Sequence, residues 1–240
     1  MKKYSCVLMD ADRTLFDFDR AQEKSLKVTL RDLLTAHEQQ FTPELLREYR
    51  AISNTLWGLY ERGGITQPKL QRERFRILLE KLGIPGGDDL ADSCNRRFVE
   101  QLGEEACLID GAVTLCRTLA ERGLALYIVT NGIERSQLRR LEKSELRPYI
   151  RKMYISEAIG VPKPHREFFD FVFSEIGEER RASSIVLGDS LTTDIAGGNN
   201  AGIDTCWYNP SGMENPGVPC TWEIARLTDF LDLDGIRQES

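Results

Sequence analysis

No stretch of this 240-residue chain approaches the roughly 20 consecutive apolar residues that a membrane-spanning helix requires. Met1-Lys2-Lys3 followed by Tyr4 to Met9 superficially suggests an export signal, but its apolar part is too short and runs straight into Asp10 and Asp12. A cytoplasmic location is therefore expected. Basic residues are in deficit: 32 Lys and Arg stand against 38 Asp and Glu, for a net charge of -6 and a pI near 5.2. Such a surface repels polyanions on average, which disfavours nucleic acid and anionic membranes as partners; a small anionic ligand would need a local positive site. Cysteine never occurs as Cys-x-x-Cys. Cys6, Cys94, Cys107, Cys116, Cys206 and Cys220 are scattered, several of them inside apolar runs. They read as small buried hydrophobes in a reducing compartment rather than as disulfides or a zinc site.

With 41% hydrophobic and 29% charged residues the composition is that of an ordinary globular protein with a sizeable core. The organising stretch is Cys6 to Leu15. Its apolar run reads as a strand buried on both faces, as in parallel sheets, and it ends in two carboxylates one residue apart. In open α/β sheets ligands bind outside that end. Paired acids repel each other, and an all-oxygen donor set favours Mg²⁺ as the neutralising cation.

From residue 18 to about 107 no strand pattern appears. Apolar spacing instead predicts helices over about 21–34, 43–60, 67–82 and 88–103, the second opened by Thr42-Pro43 and the third stopped by the Gly-rich stretch 83–87. Strands and helices alternate on either side of this region. The simplest account is an α/β core with a helical domain inserted after its first strand.

Four strand ends carry polar groups. A buried strand over 124–129 runs into Thr130-Asn131-Gly132 and a helix N-terminus, a place that favours an anion. After a weaker strand over 152–155, Lys163 sits between Pro162 and Pro164, a stiff tether suited to a fixed positive charge facing a phosphate. The strand 184–187 delivers Asp189, with Asp194 in the first turn of the next helix. A last clear strand spans 204–208, the tail offers a terminal strand and helix, and 238–240 is expected to fray. A parallel sheet places such ends along one edge. Asp10, Asp12 and Asp189 then form an acidic metal pocket, with Thr130, Asn131 and Lys163 an anion pocket beside it, the pairing that phosphoryl transfer needs.

Asp10-x-Asp12-x-Thr14-Leu15, the Thr130-Asn131-Gly132 turn, Lys163 before Pro164, and Gly188-Asp189 with Asp194 resemble the four motifs of the haloacid dehalogenase superfamily over essentially the whole chain. That resemblance implies an α/β, Rossmann-like three-layer core with a parallel sheet (residues 1–16 and 108–240) and an inserted α-helical bundle cap (17–107). It implies a Mg²⁺-dependent phosphatase acting on a small phosphomonoester. Asp10 would be nucleophile and metal ligand, and Asp12 general acid/base lending its main-chain carbonyl to the metal. Thr130 and Lys163 would hold the phosphoryl group, Asp189 would complete the metal site, and Asp194 would be a further or outlying acid. Position 13, commonly Gly or Asp in the family, is Arg13 here, which would contact a substrate anion, meet a cap acid, or point outward.

The stretch 56–66 and the run Asp10 to Asp17 are similar to bacterial pyrimidine nucleotidases, which suggests a nucleoside 5'-monophosphate as substrate. Trp57 and Tyr60 are candidates to stack on a base, or else belong to the cap's own core. Sugar-phosphate or phosphoglycolate hydrolysis and phosphomutase chemistry share every motif. A carbon-halogen dehalogenase would not need an acid at position 12, and a non-enzymatic phospho-ligand regulator would be expected to have lost one of Asp10, Asp12, Lys163 or Asp189. The protein is expected to act as a monomer or homodimer.

Overall fold

The computed structural model describes residues 3–236, so the expected fraying of 238–240 lies outside the described residues. The chain divides into two units, one made of Met1–Phe18 with Ala106–Ser240 and the other of Asp19–Glu105.

The first unit is built on one six-stranded sheet. Its strands are β1 (Cys6–Met9), β2 (Ala125–Thr130), β3 (Lys152–Ile155), β4 (Ser184–Gly188), β5 (Asp204–Tyr208) and β6 (Trp222–Ile224), in the order β3-β2-β1-β4-β5-β6 and all parallel. β1, β2 and β4 are buried at every position, because both faces of the sheet are covered. Val7, Met9, Ile128 and Leu187 pack with Leu115 and Leu119 of α5 (Ala112–Glu121) and with Phe230. Leu8, Val129 and Val186 pack on the opposite face with Phe168, Phe169, Val172 and Phe173 of a helix over Arg166–Ile176. Each of these large side chains contributes about 1.5–3 kcal/mol by leaving water. The expected terminal helix is a short 3₁₀ segment, Leu227–Asp232. All six cysteines are free thiols, four of them buried, and burial pushes the Cys116 thiol up to about 12.

The second unit holds the rest of α1 (Phe18–Ala36), then α2 (Pro43–Glu61), α3 (Gln67–Lys81) and α4 (Gly87–Glu104). The Thr42 hydroxyl accepts the Leu45 N–H at 3.2 Å, and Pro43 occupies the first turn, where no donor is missed. Tyr49, Phe75 and Phe98 form a buried triad with ring centroids 5.5–5.6 Å apart. The buried Arg74 guanidinium lies 4.8 Å over the Phe98 ring and donates to Asn95 Oδ1 at 2.6 Å.

Candidate active site

Sheet register decides which residues meet. Met9 lies level with Ile128 of β2 and Leu187 of β4. Asp10 is therefore level with Val129 and Gly188, while Thr130 and Asp189 lie one residue further along the same edge. The Asp10 N–H continues the ladder to Leu187 O at 2.8 Å.

Lys163 reaches this edge from the loop after the short helix Ser156–Ile159 that follows β3, and it is 1% exposed. Its Nζ donates to Asp10 Oδ1 at 2.7 Å, Asp194 Oδ1 at 2.6 Å and Val129 O at 2.7 Å. All three ammonium protons are thus committed, which fixes the charge in space. The main chain of Lys163 is clamped as well. Asn131 Nδ2 donates to Lys163 O at 2.9 Å, and Asn131 Oδ1 accepts the Lys163 N–H at 2.8 Å. Asn131, grouped from sequence with the anion ligands, therefore spends both ends of its carboxamide on placing the lysine. Thr130 is buried, and its oxygen accepts the Gly132 N–H at 3.0 Å, which leaves its O–H to donate.

Asp10, Asp189 and Asp194 each bring a carboxylate oxygen within 4.8 Å of the others. Asp194 is anchored by Lys163 and by the Ser190 N–H, which reaches Oδ2 at 3.1 Å. It hangs from a wide turn in which the Ile195 N–H bonds five residues back to Ser190 O. This turn places the carboxylate over Gly188, where an added Cβ would lie 2.3 Å from Asp194 Oδ2. Asp189 is held from its backbone, its N–H on Thr14 Oγ1 at 3.1 Å and its carbonyl accepting Trp207 Nε1 at 2.9 Å.

The Asp12 carboxylate lies with other partners. Gln137 Nε2 donates to Oδ2 at 2.6 Å and the Arg140 guanidinium pairs with Oδ1. Both come from α6 (Glu134–Lys143), the helix that follows the Thr130-Asn131-Gly132 turn. Sequence reasoning passed over Gln137 and Arg140. Their signal was faint: two long polar side chains at i, i+3 on a helix opening directly after a glycine.

Burial pushes the Asp10 carboxyl well above the usual carboxylate range, against the pull of Lys163 and with a further push from Asp194 and Asp189. Burial and Asp194 likewise push Asp189 up to about 7, while Arg13 and Lys163 draw it down. For Lys163 burial works against the ammonium, but Asp10 and Asp194 outweigh it and raise the pKa. Three acids against one ammonium is a deficit of positive charge built from hard oxygen donors, and this fits Mg²⁺.

Arg13 adopts a left-handed backbone (φ 65°), donates its N–H to Phe16 O at 2.8 Å and lays its guanidinium 5.0 Å from the Phe18 ring centroid. The left-handed geometry explains why glycine or aspartate suits this position. In α2, Trp57 and Tyr60 form an edge-on pair 5.7 Å apart. Both are half-buried and lie off the buried stripe of Leu45, Leu46, Tyr49, Ser53 and Leu56.

An N-terminal strand tip bearing two acids, a lysine and two further acids on one parallel edge define a hydrolase of the haloacid dehalogenase type. The family model for haloacid dehalogenase-like hydrolases matches residues 4–202, and the chain belongs to that family. Among its relatives, the Escherichia coli pyrimidine 5'-nucleotidase YjjG is 34% identical over 233 residues, covering 96% of this chain and 98% of its own. The Streptococcus pneumoniae pyrimidine 5'-nucleotidase PynA is 36% identical over 231 residues, covering 95% and 94%. The crystal structure of the Bacillus subtilis HAD-hydrolase YfnB bound to magnesium superposes with a TM-score of 0.87 at 34% identity, covering 96% of this chain and 98% of that one. Among the described residues no helix is long and apolar enough to cross a membrane.

Proposed function

We propose that the protein is a Mg²⁺-dependent phosphatase that hydrolyses a nucleoside 5'-monophosphate through an aspartyl-phosphate on Asp10. The observation that carries this reading is the buried Lys163 ammonium bridging Asp10 and Asp194, with Asp189 completing an acidic cluster at the same strand tips. Asp10 and Asp189, with the Asp12 main-chain carbonyl, would hold the metal, flanked by Asp194. Bound there, the cation would supply Lewis-acid neutralisation of phosphoryl oxygens. Lys163 and the Thr130 O–H fix the phosphoryl group against Asp10, whose carboxylate oxygen attacks phosphorus. Asp12 gives a proton to the departing ester oxygen and then takes one from the hydrolytic water. Within the helical unit, the Trp57–Tyr60 pair offers aromatic surface of the kind that takes a base.

The nucleotide assignment rests on likeness to the two pyrimidine 5'-nucleotidases along nearly the full chain. Comparing kcat/KM across nucleoside monophosphates, sugar phosphates and phosphoglycolate tests it, and a sugar phosphate preferred over every nucleotide would refute it. Phosphate release abolished by chelator and by Asp10→Asn is the expected signature of the chemistry; an isomerised sugar phosphate without free phosphate would point to a mutase instead.

A further inference from the structure

We infer that Gln137 and Arg140 are positioning residues for Asp12, setting the direction in which it presents its proton. This inference rests on the phosphatase reading and deepens it.

Both oxygens of Asp12 are occupied by donors from one face of α6, Gln137 Nε2 at 2.6 Å on Oδ2 and the Arg140 guanidinium on Oδ1. The arrangement is rigid. The Arg140 side chain is 0% exposed and the Asp12 side chain 22%, and the guanidinium stacks 4.5 Å from the Phe16 ring centroid. Gln137 is buried, and its Oε1 has no hydrogen-bond partner among the described residues. An unsatisfied buried carbonyl costs about 1–3 kcal/mol, so the residue is a poor choice for stability alone. The preceding turn is shaped around it: a Cβ on Gly132 would lie 2.1 Å from Gln137 Nε2. The glycine of that turn is thus explained by the need to let Gln137 pass to Asp12.

Arg140 has only donors, and the Gln137 atom facing Asp12 is also a donor. When Asp12 carries a proton, its O–H is therefore excluded from the α6 side and directed away from it. In the first half-reaction an Asp10 oxygen bonds to phosphorus and the ester P–O bond breaks with its electron pair on the departing oxygen, which takes the Asp12 proton. In the second, water oxygen bonds to phosphorus, the Asp10–phosphorus bond breaks, and the Asp12 carboxylate receives the water proton. Both transfers need Asp12 held at one place. Positioned proton transfer of this kind is worth about 10²–10⁴-fold.

Protonation matters for an alkyl leaving group and little for a good aryl one, so the test compares kcat/KM for a nucleoside 5'-monophosphate with that for p-nitrophenyl phosphate. Gln137→Leu and Arg140→Met are expected to lose about 10²-fold on the nucleotide, mostly in kcat, and several-fold less on the aryl ester. Gly132→Ala should reproduce Gln137→Leu, and Arg140→Lys should recover part of the nucleotide activity. Should Arg140→Met fail to fold, the Gln137 and Gly132 variants carry the comparison. Equal losses on the two esters, or an undiminished nucleotide rate, would overturn the inference while leaving the phosphatase reading intact. A wild-type protein that cleaves neither ester would overturn both.

Discussion

Alanine at Gly188 and alanine at Gly58 are the same chemical change with opposite expected signs. At Gly188 the new methyl would meet Asp194 Oδ2, Cγ and Cβ at 2.3, 2.4 and 2.5 Å. Asp194 is 1% exposed and bonded to Lys163 and the Ser190 N–H, so it has no slack with which to retreat. Overpacking of a filled site costs about 1–3 kcal/mol, and weakening a charge-assisted hydrogen bond to the buried lysine adds about 1.5–3 kcal/mol. Gly188→Ala should therefore lower the stability of the sheet unit by about 2.5–6 kcal/mol. Lys163 would lose one of its two carboxylates, and a displacement on the order of 1 Å there should cut kcat about 10²-fold. At Gly58, inside α2, the methyl's nearest neighbour would be the Arg62 guanidinium, at 3.2 Å, a flexible group that swings aside. Helix propensity then prevails, and Gly58→Ala should stabilise the helical unit by about 0.5–1 kcal/mol. Hydrogen exchange of peptides covering β4 and α2 reads the units separately. Wild-type protection in β4 and wild-type kcat for Gly188→Ala would refute the claim that Asp194 and Gly188 are packed as one piece.

Other outcomes follow from the same contacts. Mg²⁺ at a hundredfold excess over its Kd should stabilise the protein by about 2.7 kcal/mol, and Asp189→Asn should erase most of that gain; an unchanged Mg²⁺-induced rise in melting temperature in the variant would count against Asp189 as a ligand. Phe98→Ala should remove about 3–5 kcal/mol from the helical unit, because Phe98 is fully buried against Tyr49 and Phe75, as read from exchange rates in α3 and α4. Thr42→Ala should cost about 1 kcal/mol through loss of the α2 cap, checked by the urea midpoint.

What was legible in the sequence followed from local physics. Apolar runs ending in polar groups mark β1, β2 and β4, and a parallel sheet brings such ends to one edge, which is why Asp10, Lys163 and Asp189 can be grouped from sequence. β3 and β5 were bounded as observed, Lys152–Ile155 and Asp204–Tyr208. Side-chain aim was not legible. Two acids one residue apart look equivalent in a sequence, yet Asp10 faces Lys163 and Asp12 faces α6. What separates them is Gln137 and Arg140, more than a hundred residues downstream. Asn131 carries the chemistry of an anion ligand, and only the folded loop shows its amide turned to the Lys163 backbone. From sequence Arg13 could contact a substrate anion, meet a cap acid or point outward, and its left-handed backbone in the turn leaving β1 is visible only in the fold.

The charge balance of the cluster also fixes an order of binding. Where Asp10 and Asp189 are both ionised, two like charges at the 4.8 Å limit separating the Asp10, Asp189 and Asp194 oxygens repel by about 3–4 kcal/mol at the effective dielectric of a protein site. Lys163 offsets part of this, but its three protons already point at Asp10, Asp194 and Val129 O, so it can turn one toward a phosphoryl oxygen only by letting go of a carboxylate whose charge a bound cation would take over. A phosphate dianion arriving before any further cation therefore meets net repulsion and no free donor on the lysine. A divalent cation held by Asp10 and Asp189 would supply the missing positive charge and reverse the sign of the repulsion. The expected kinetics are cation first and ester second: raising Mg²⁺ should lower the apparent KM of the ester, and in the presence of chelator the ester should neither bind nor shift the melting temperature. Tight ester binding to the metal-free protein would show that the acids are not the barrier this geometry makes them.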